Sequence, residues 1–144
     1  MTRDIFMEAT TIFWPVLTQI TLTLCMFIIL GIRKAKAVKA GGVNRKEAAL
    51  NNQAWPNEVI QVSNNIANQF ETPVLFYTLC GLLYASNGVG YLAIALAWAY
   101  ALSRVFHAFV HIGSNYVPTR MRLFMLGCLI LIAMTILTAV NLLS

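Results

Sequence analysis

Long apolar runs alternate with short polar ones along this chain, and four of them, near Thr11–Ile32, Ile66–Ser86, Val89–Ile112 and Leu123–Leu143, are long enough to cross a bilayer. A helix needs roughly 20 residues to traverse about 30 Å of hydrocarbon. The pattern predicts an all-α integral membrane four-helix bundle, a single domain over residues 1–144. Its transmembrane helices are expected at about 11–32, 57–86, 89–112 and 120–143, with a long first loop at 33–56.

Local punctuation refines this outline. Gly41-Gly42 breaks the first loop, and Asn44 followed by good helix formers to Leu50 predicts a short interfacial helix. Trp55-Pro56-Asn57 marks a turn at headgroup level, with the indole as anchor and Asn57 as a cap. Pro73 lies inside the second helix and is expected to kink it. Ser86-Asn-Gly-Val-Gly90 leaves room only for a tight hairpin, so helices two and three are predicted to be antiparallel neighbours.

Charge adds direction. Only 10% of residues are charged while 59% are hydrophobic, which excludes an ordinary soluble domain. Arg3, Asp4 and Glu8 give the start no net positive charge, and Gly31-Ile32 runs into Arg33-Lys34-Ala35-Lys36 without a small-residue cleavage site. The first segment therefore reads as a retained anchor. Arg33, Lys34, Lys36, Lys39, Arg45 and Lys46 lie between segments one and two, Arg120 and Arg122 between three and four, and only Arg3 on the other side. Both basic loops are thus expected to face the cytoplasm and both termini the opposite side. This asymmetry accounts for the net charge of +5. It implies attraction to anionic lipid headgroups rather than a nucleic-acid partner. Cys25, Cys80 and Cys128 are odd in number, far apart and each inside a span, which suits filler rather than a disulfide framework or a metal site.

Polar residues inside the spans carry the candidate chemistry. Asn64, Asn68 and Glu71 follow i, i+4, i+7 spacing on helix two, and Tyr100, Arg104, His107 and His111 share a face of helix three. At 1.5 Å per residue, Glu71 and Arg104 fall at similar depth, and an unpaired charge there costs several kcal/mol, so a buried Glu71–Arg104 ion pair is expected. Together with Asn115, Tyr116, Arg120 and Arg122 these residues converge on the cytoplasmic half, which suggests a polar pocket for an anionic ligand with carboxylates. The same groups serve equally as interhelical glue without chemistry. His107 and His111 with Glu71 make a poor metal site, since both nitrogens come from one helix and no HExxH motif is present. Ser103 and Ser114 lack a nucleophile motif, so in an enzyme the substrate or cofactor brings the nucleophile.

The helix-two pattern Asn64-x-x-x-Asn68-x-x-Glu71-x-Pro73, with Phe70-Glu-Thr-Pro-Val-Leu-Phe76, resembles the MAPEG family, the membrane-associated proteins of eicosanoid and glutathione metabolism. Arg104-Val-Phe-His-Ala-Phe-Val-His111 and Asn115-Tyr-Val-Pro-Thr-Arg120 look like a bacterial branch, and the likeness extends over nearly the whole chain. The resemblance implies a homotrimer in the bacterial inner membrane with sites between subunits near the cytoplasmic face. It also implies glutathione as cofactor, used as a thiolate in transferase or peroxidase chemistry on hydrophobic electrophiles. In that picture Arg104 and Arg120 are catalytic, charging the thiol site with Arg122 beside them. Asn64, Asn68, Glu71, Tyr100, His107, His111, Asn115, Tyr116 and Arg122 bind ligand, and there is no metal.

Two departures bear on activity. Asn64 stands where the family carries an Arg, and the tyrosines that some members place on helix three are replaced by Phe106, Phe109 or His. The alternative is a non-catalytic structural or accessory subunit, or a binder of another small anion or lipid, on the same scaffold. The partners implied are the lipid bilayer, further copies of the chain and, for an accessory subunit, a larger membrane complex.

Overall fold

The computed structural model describes residues 9–143; Arg3, Asp4 and Glu8 of the leading segment lie outside them. Helix α1 (Phe13–Lys39) carries the first apolar run and continues through the basic residues that were expected to begin the loop. Lys36 and Lys39 occupy its last turn, where cations complement the helix dipole. Gly41, at φ 76°, turns the chain away in the left-handed conformation, and its N–H donates to the Val38 carbonyl at 3.1 Å.

Helix α2 (Arg45–Ala48) follows, with the Asn44 Oδ1 accepting from the Lys46 and Glu47 amides. After a 3-10 turn at Asn52–Ala54, the Trp55 indole N–H donates to the Ala48 carbonyl at 3.2 Å, and the Lys34 Nζ sits 4.7 Å above its ring.

The second predicted helix is two helices, α3 (Asn57–Gln69) and α4 (Thr72–Ala85). Pro73 has no N–H to give the Gln69 carbonyl, and its ring crowds that oxygen, so the helix stops rather than bends. It restarts with Pro73 in the first turn of α4, where a missing N–H costs nothing. Residues 70–71 form the break, with the Phe70 N–H closing back on the Ala67 carbonyl at 3.0 Å. A turn containing Asn87 at φ 55° leads into α5 (Tyr91–Ile112), and α6 (Val117–Leu143) completes the chain.

Three of these helices, α1, α5 and α6, are individually long and apolar enough to cross a membrane, and no strand occurs among the described residues. Neither α3 nor α4 alone reaches that length, because the break divides their run.

Helices α5 and α6 pack most extensively. Ala93, Ala97, Ala101 and Ala108 keep the buried side of α5 narrow, and Gly127 of α6 faces Tyr100 and Ser103, where an added Cβ would stand 3.4 Å from the Ser103 hydroxyl. Two apolar clusters form. One, around Phe76, Leu83, Ala97, Tyr100 and Met134, fills the end near the 86–90 hairpin; the other, Met26, Val62, Ile66 and Ala108, lies toward the basic end. Outward faces remain apolar, with Leu17, Leu24 and Ile28 on α1 and Leu129, Ile132, Ile136 and Val140 on α6 all exposed.

Hydroxyls in the apolar segments do not disturb this belt. Thr18, Thr23, Thr78, Thr135 and Thr138 each donate to the carbonyl four residues back in their own helix.

Candidate functional site

A buried polar layer starts between the two apolar clusters, at Gln19 and Gln69, and runs along the second, through Asn65 and His111, to the basic end. Val59, Val62 and Ile66 turn one face of α3 inward, and the same 3.6-residue phase carries Asn65 and Gln69 in with them. Gln19, a lone amide in the apolar part of α1, donates from Nε2 to the Gln69 Oε1. Gln69 Nε2 donates in turn to the Asn65 Oδ1 at 3.1 Å, and Asn65 Nδ2 lies 3.4 Å from His111 Nδ1. Asn68 Nδ2 approaches the same nitrogen at 3.5 Å. Three helices are joined by this sequence of side chains, whose members are nearly all fully buried.

His111 also lines a cleft of about 230 Å³ with Asn57, Ile60, Gln61, Asn64, Asn115 and Arg120. Asn115 holds φ 50°, a region asparagine tolerates better than most side chains. Its Oδ1 accepts from Arg120 Nη1 at 2.7 Å. That bond orients the guanidinium while the remaining donors of its fork stay available for a planar anion. Arg33 braces the neighbouring wall, donating from Nη1 to the Glu58 carbonyl at 2.7 Å and from Nη2 to the Ile112 carbonyl at 2.9 Å.

Deeper in the bundle, Arg104 is fully buried against α6, with Phe124 at 5.8 Å from its guanidinium carbon. Its Nη2 donates to the Asn68 carbonyl at 3.3 Å, one of the acceptors released where α3 ends. Nε and Nη1 engage no acceptor among the described residues. His107 stacks edge-on with His111 at 5.6 Å, and its Nδ1 is likewise unpartnered. The Tyr100 hydroxyl donates to the Thr72 Oγ1 at 3.1 Å, tying α5 to the start of α4.

The expected Glu71–Arg104 ion pair is not formed. Glu71 occupies the helix break with φ −93° and ψ −96° and is exposed, while the guanidinium turns to a backbone carbonyl instead. The break removes the helical continuity on which the i+7 placement of Glu71 depended. Of the other singled-out residues, Asn64, His111, Asn115 and Arg120 meet in the cleft, and Asn68 borders His111. Tyr100, Arg104 and His107 lie together but sealed beneath it. Tyr116 and Arg122 are exposed and do not line the cleft.

Sequence reasoning passed over Asn65, Gln69 and Gln19, and took Arg33 only as a loop charge. The signal for the first two was the Val59, Val62, Ile66 apolar spacing, which fixes the inward side of α3; for Gln19 it was an amide isolated in a span.

Apolar grooves flank the polar layer. One of about 320 Å³ runs between α1 and α5, lined by Leu22, Met26, Ile29, Val105 and Phe109, and ends at Ile112 beside His111. Another of about 350 Å³ lies between α4 and α6.

The family model described as MAPEG matches residues 11–140 of the chain. No curated protein and no solved structure matches it.

Proposed function

The chain belongs to the MAPEG family, and on that premise we propose that it is a glutathione-dependent membrane enzyme of transferase or peroxidase type, acting on hydrophobic electrophiles at the cytoplasmic face. The observation that carries this reading is the cleft in which Arg120, fixed by Asn115, stands with His111 and Asn64 at the basic end of an apolar bundle. A guanidinium with free donors suits a glutathione carboxylate, and its charge favours the thiolate over the thiol. The α1–α5 groove, on the other side of α5, offers a surface on which an apolar electrophile from the bilayer can lodge.

In this reading Arg104, fully buried and donating to the Asn68 carbonyl, serves the bundle and not the thiol. Arg120 is the residue on which thiol activation rests. In this reading α3 and α4 together make the fourth span, the basic end faces the cytoplasm of a bacterial inner membrane, and the apolar grooves are covered in a homotrimer.

The test is calorimetric titration of glutathione into the detergent-purified protein, followed in parallel by thiolate absorbance. Saturable micromolar-to-millimolar binding with a thiolate signal is expected. Arg120→Ala is expected to weaken it at least tenfold, about 1.4 kcal/mol. No binding at several millimolar overturns the proposal.

Asn64, in the position of the family's Arg, favours a second reading, a non-catalytic binder of another small anion or lipid headgroup. Asn64→Arg separates the two: it tightens glutathione binding in the first and leaves it absent in the second.

A further inference from the structure

We infer that His111 is a positioned hydrogen-bond donor of the cleft, its ring tautomer set from α1 through the side-chain sequence Gln19, Gln69, Asn65. The inference rests on reading the cleft as a ligand site, and it adds the chemical requirement that His111 places on the ligand.

The argument begins at the α1 end. An amide can be turned over, so the sequence of bonds runs in one of two senses. In the sense observed, Gln19 donates to Gln69, Gln69 to Asn65, and Asn65 turns its NH₂ toward His111. The group left over is then a single carbonyl oxygen, Gln19 Oε1. Turned over, the sequence would strand the Gln19 NH₂ instead, and buried orphan N–H groups are the rarer kind.

In the same sense Asn68, which no other side chain among the described residues holds in place, also turns its NH₂ toward His111 Nδ1, at 3.5 Å. Two donors facing one ring nitrogen require it to accept, and in a neutral imidazole the other nitrogen then carries the hydrogen. Since Nδ1 is committed to α3, Nε2–H is the donor His111 has for the cleft. Beside Arg120, a second donor selects a ligand group that only accepts, such as a carboxylate or another oxyanion. Asn65, Gln69 and Gln19 touch no ligand themselves; they are positioning residues.

The chain contains two histidines, which makes the tautomer directly measurable. Protein labelled with ¹⁵N-histidine is studied in detergent without added ligand, and the His111 resonances are assigned by their loss in His111→Phe. The expected spectrum has an unprotonated Nδ1 and a protonated Nε2. A hydrogen on Nδ1, or a mixture of tautomers, overturns the inference.

Asn65→Asp exchanges the donor for an acceptor and is expected to move the hydrogen to Nδ1; an unchanged spectrum in a folded variant counts against the relay. Should that variant not fold, Gln19→Met with Gln69→Met replaces both glutamines by apolar groups of similar shape, a change that can be nearly neutral for stability. With Asn65 no longer held, this double variant is expected to show mixed tautomers, and a single Nε2–H form would show that α1 sets nothing. Because no glutathione is present, failure to bind glutathione leaves this result standing, and a wrong tautomer leaves glutathione binding untouched.

Discussion

Among the described residues Arg104 is the bulkiest side chain that the bundle buries completely, and it does so with one hydrogen bond, to the carbonyl that α3 leaves open at Asn68. A cation at a helix C-terminus is favoured by the dipole, and removing it here also leaves a cavity and an orphan acceptor. Arg104→Ala is therefore expected to cost about 2–5 kcal/mol of stability. It should appear as a lower unfolding temperature in detergent, and an unchanged transition would remove Arg104 from the structural role given to it. The sequence brought Arg104, His107 and His111 to one face by simple spacing, and that face is buried. It did not say which amides of α3 would meet them. Asn64, Asn65, Asn68 and Gln69 populate both candidate faces, so polarity alone leaves the rotation undetermined, and the apolar positions Val59, Val62 and Ile66 decide it. Glu71 was misplaced for a different reason, because spacing arithmetic holds only while the helix is continuous.

The break between α3 and α4 is the element that positions the polar layer. It ends α3 at Gln69, frees the Asn68 carbonyl for Arg104, and brings Thr72 within reach of Tyr100. Pro73→Ala supplies the missing N–H and removes the clash, worth about 3 kcal/mol or more in a helix interior. The variant is expected to join α3 and α4 into one helix, seen as slowed amide exchange over residues 70–75. Exchange there as fast as in the parent would mean that tertiary contacts, rather than the proline, hold the two pieces apart. A proline in the sequence announced a disturbance, but kink and full break share the same local signal. The outcome depends on acceptors elsewhere, such as Arg104 and Thr72, being ready to satisfy what the break exposes.

At the scale of the whole molecule, an apolar exterior and a basic end define an integral membrane protein, and both were legible in composition and charge order. Charge order also makes the proposed orientation testable. Replacing Lys34, Lys36 and Lys39 by Gln while introducing two lysines at the open, exposed positions 90–91 removes most of the bias that retains the first loop. The expected result is a mixed population, read by an impermeant thiol reagent on Ser114→Cys in intact cells. Uniform labelling identical to the parent would show that Arg33, Arg45, Lys46, Arg120 and Arg122 suffice.

Arg33, which donates to one carbonyl in α3's first turn and to one in α5's last, has a mechanical consequence as well. Parallel rods in lipid meet little resistance to sliding along their axes, since one apolar contact replaces another. A charged fork nearly two turns before the end of α1, engaged with two other helices at once, acts as a pin against such piston motion. It sets the depth at which Gln19 arrives opposite Gln69 some four turns away, so the vertical registration of the interior amides is fixed from the membrane surface.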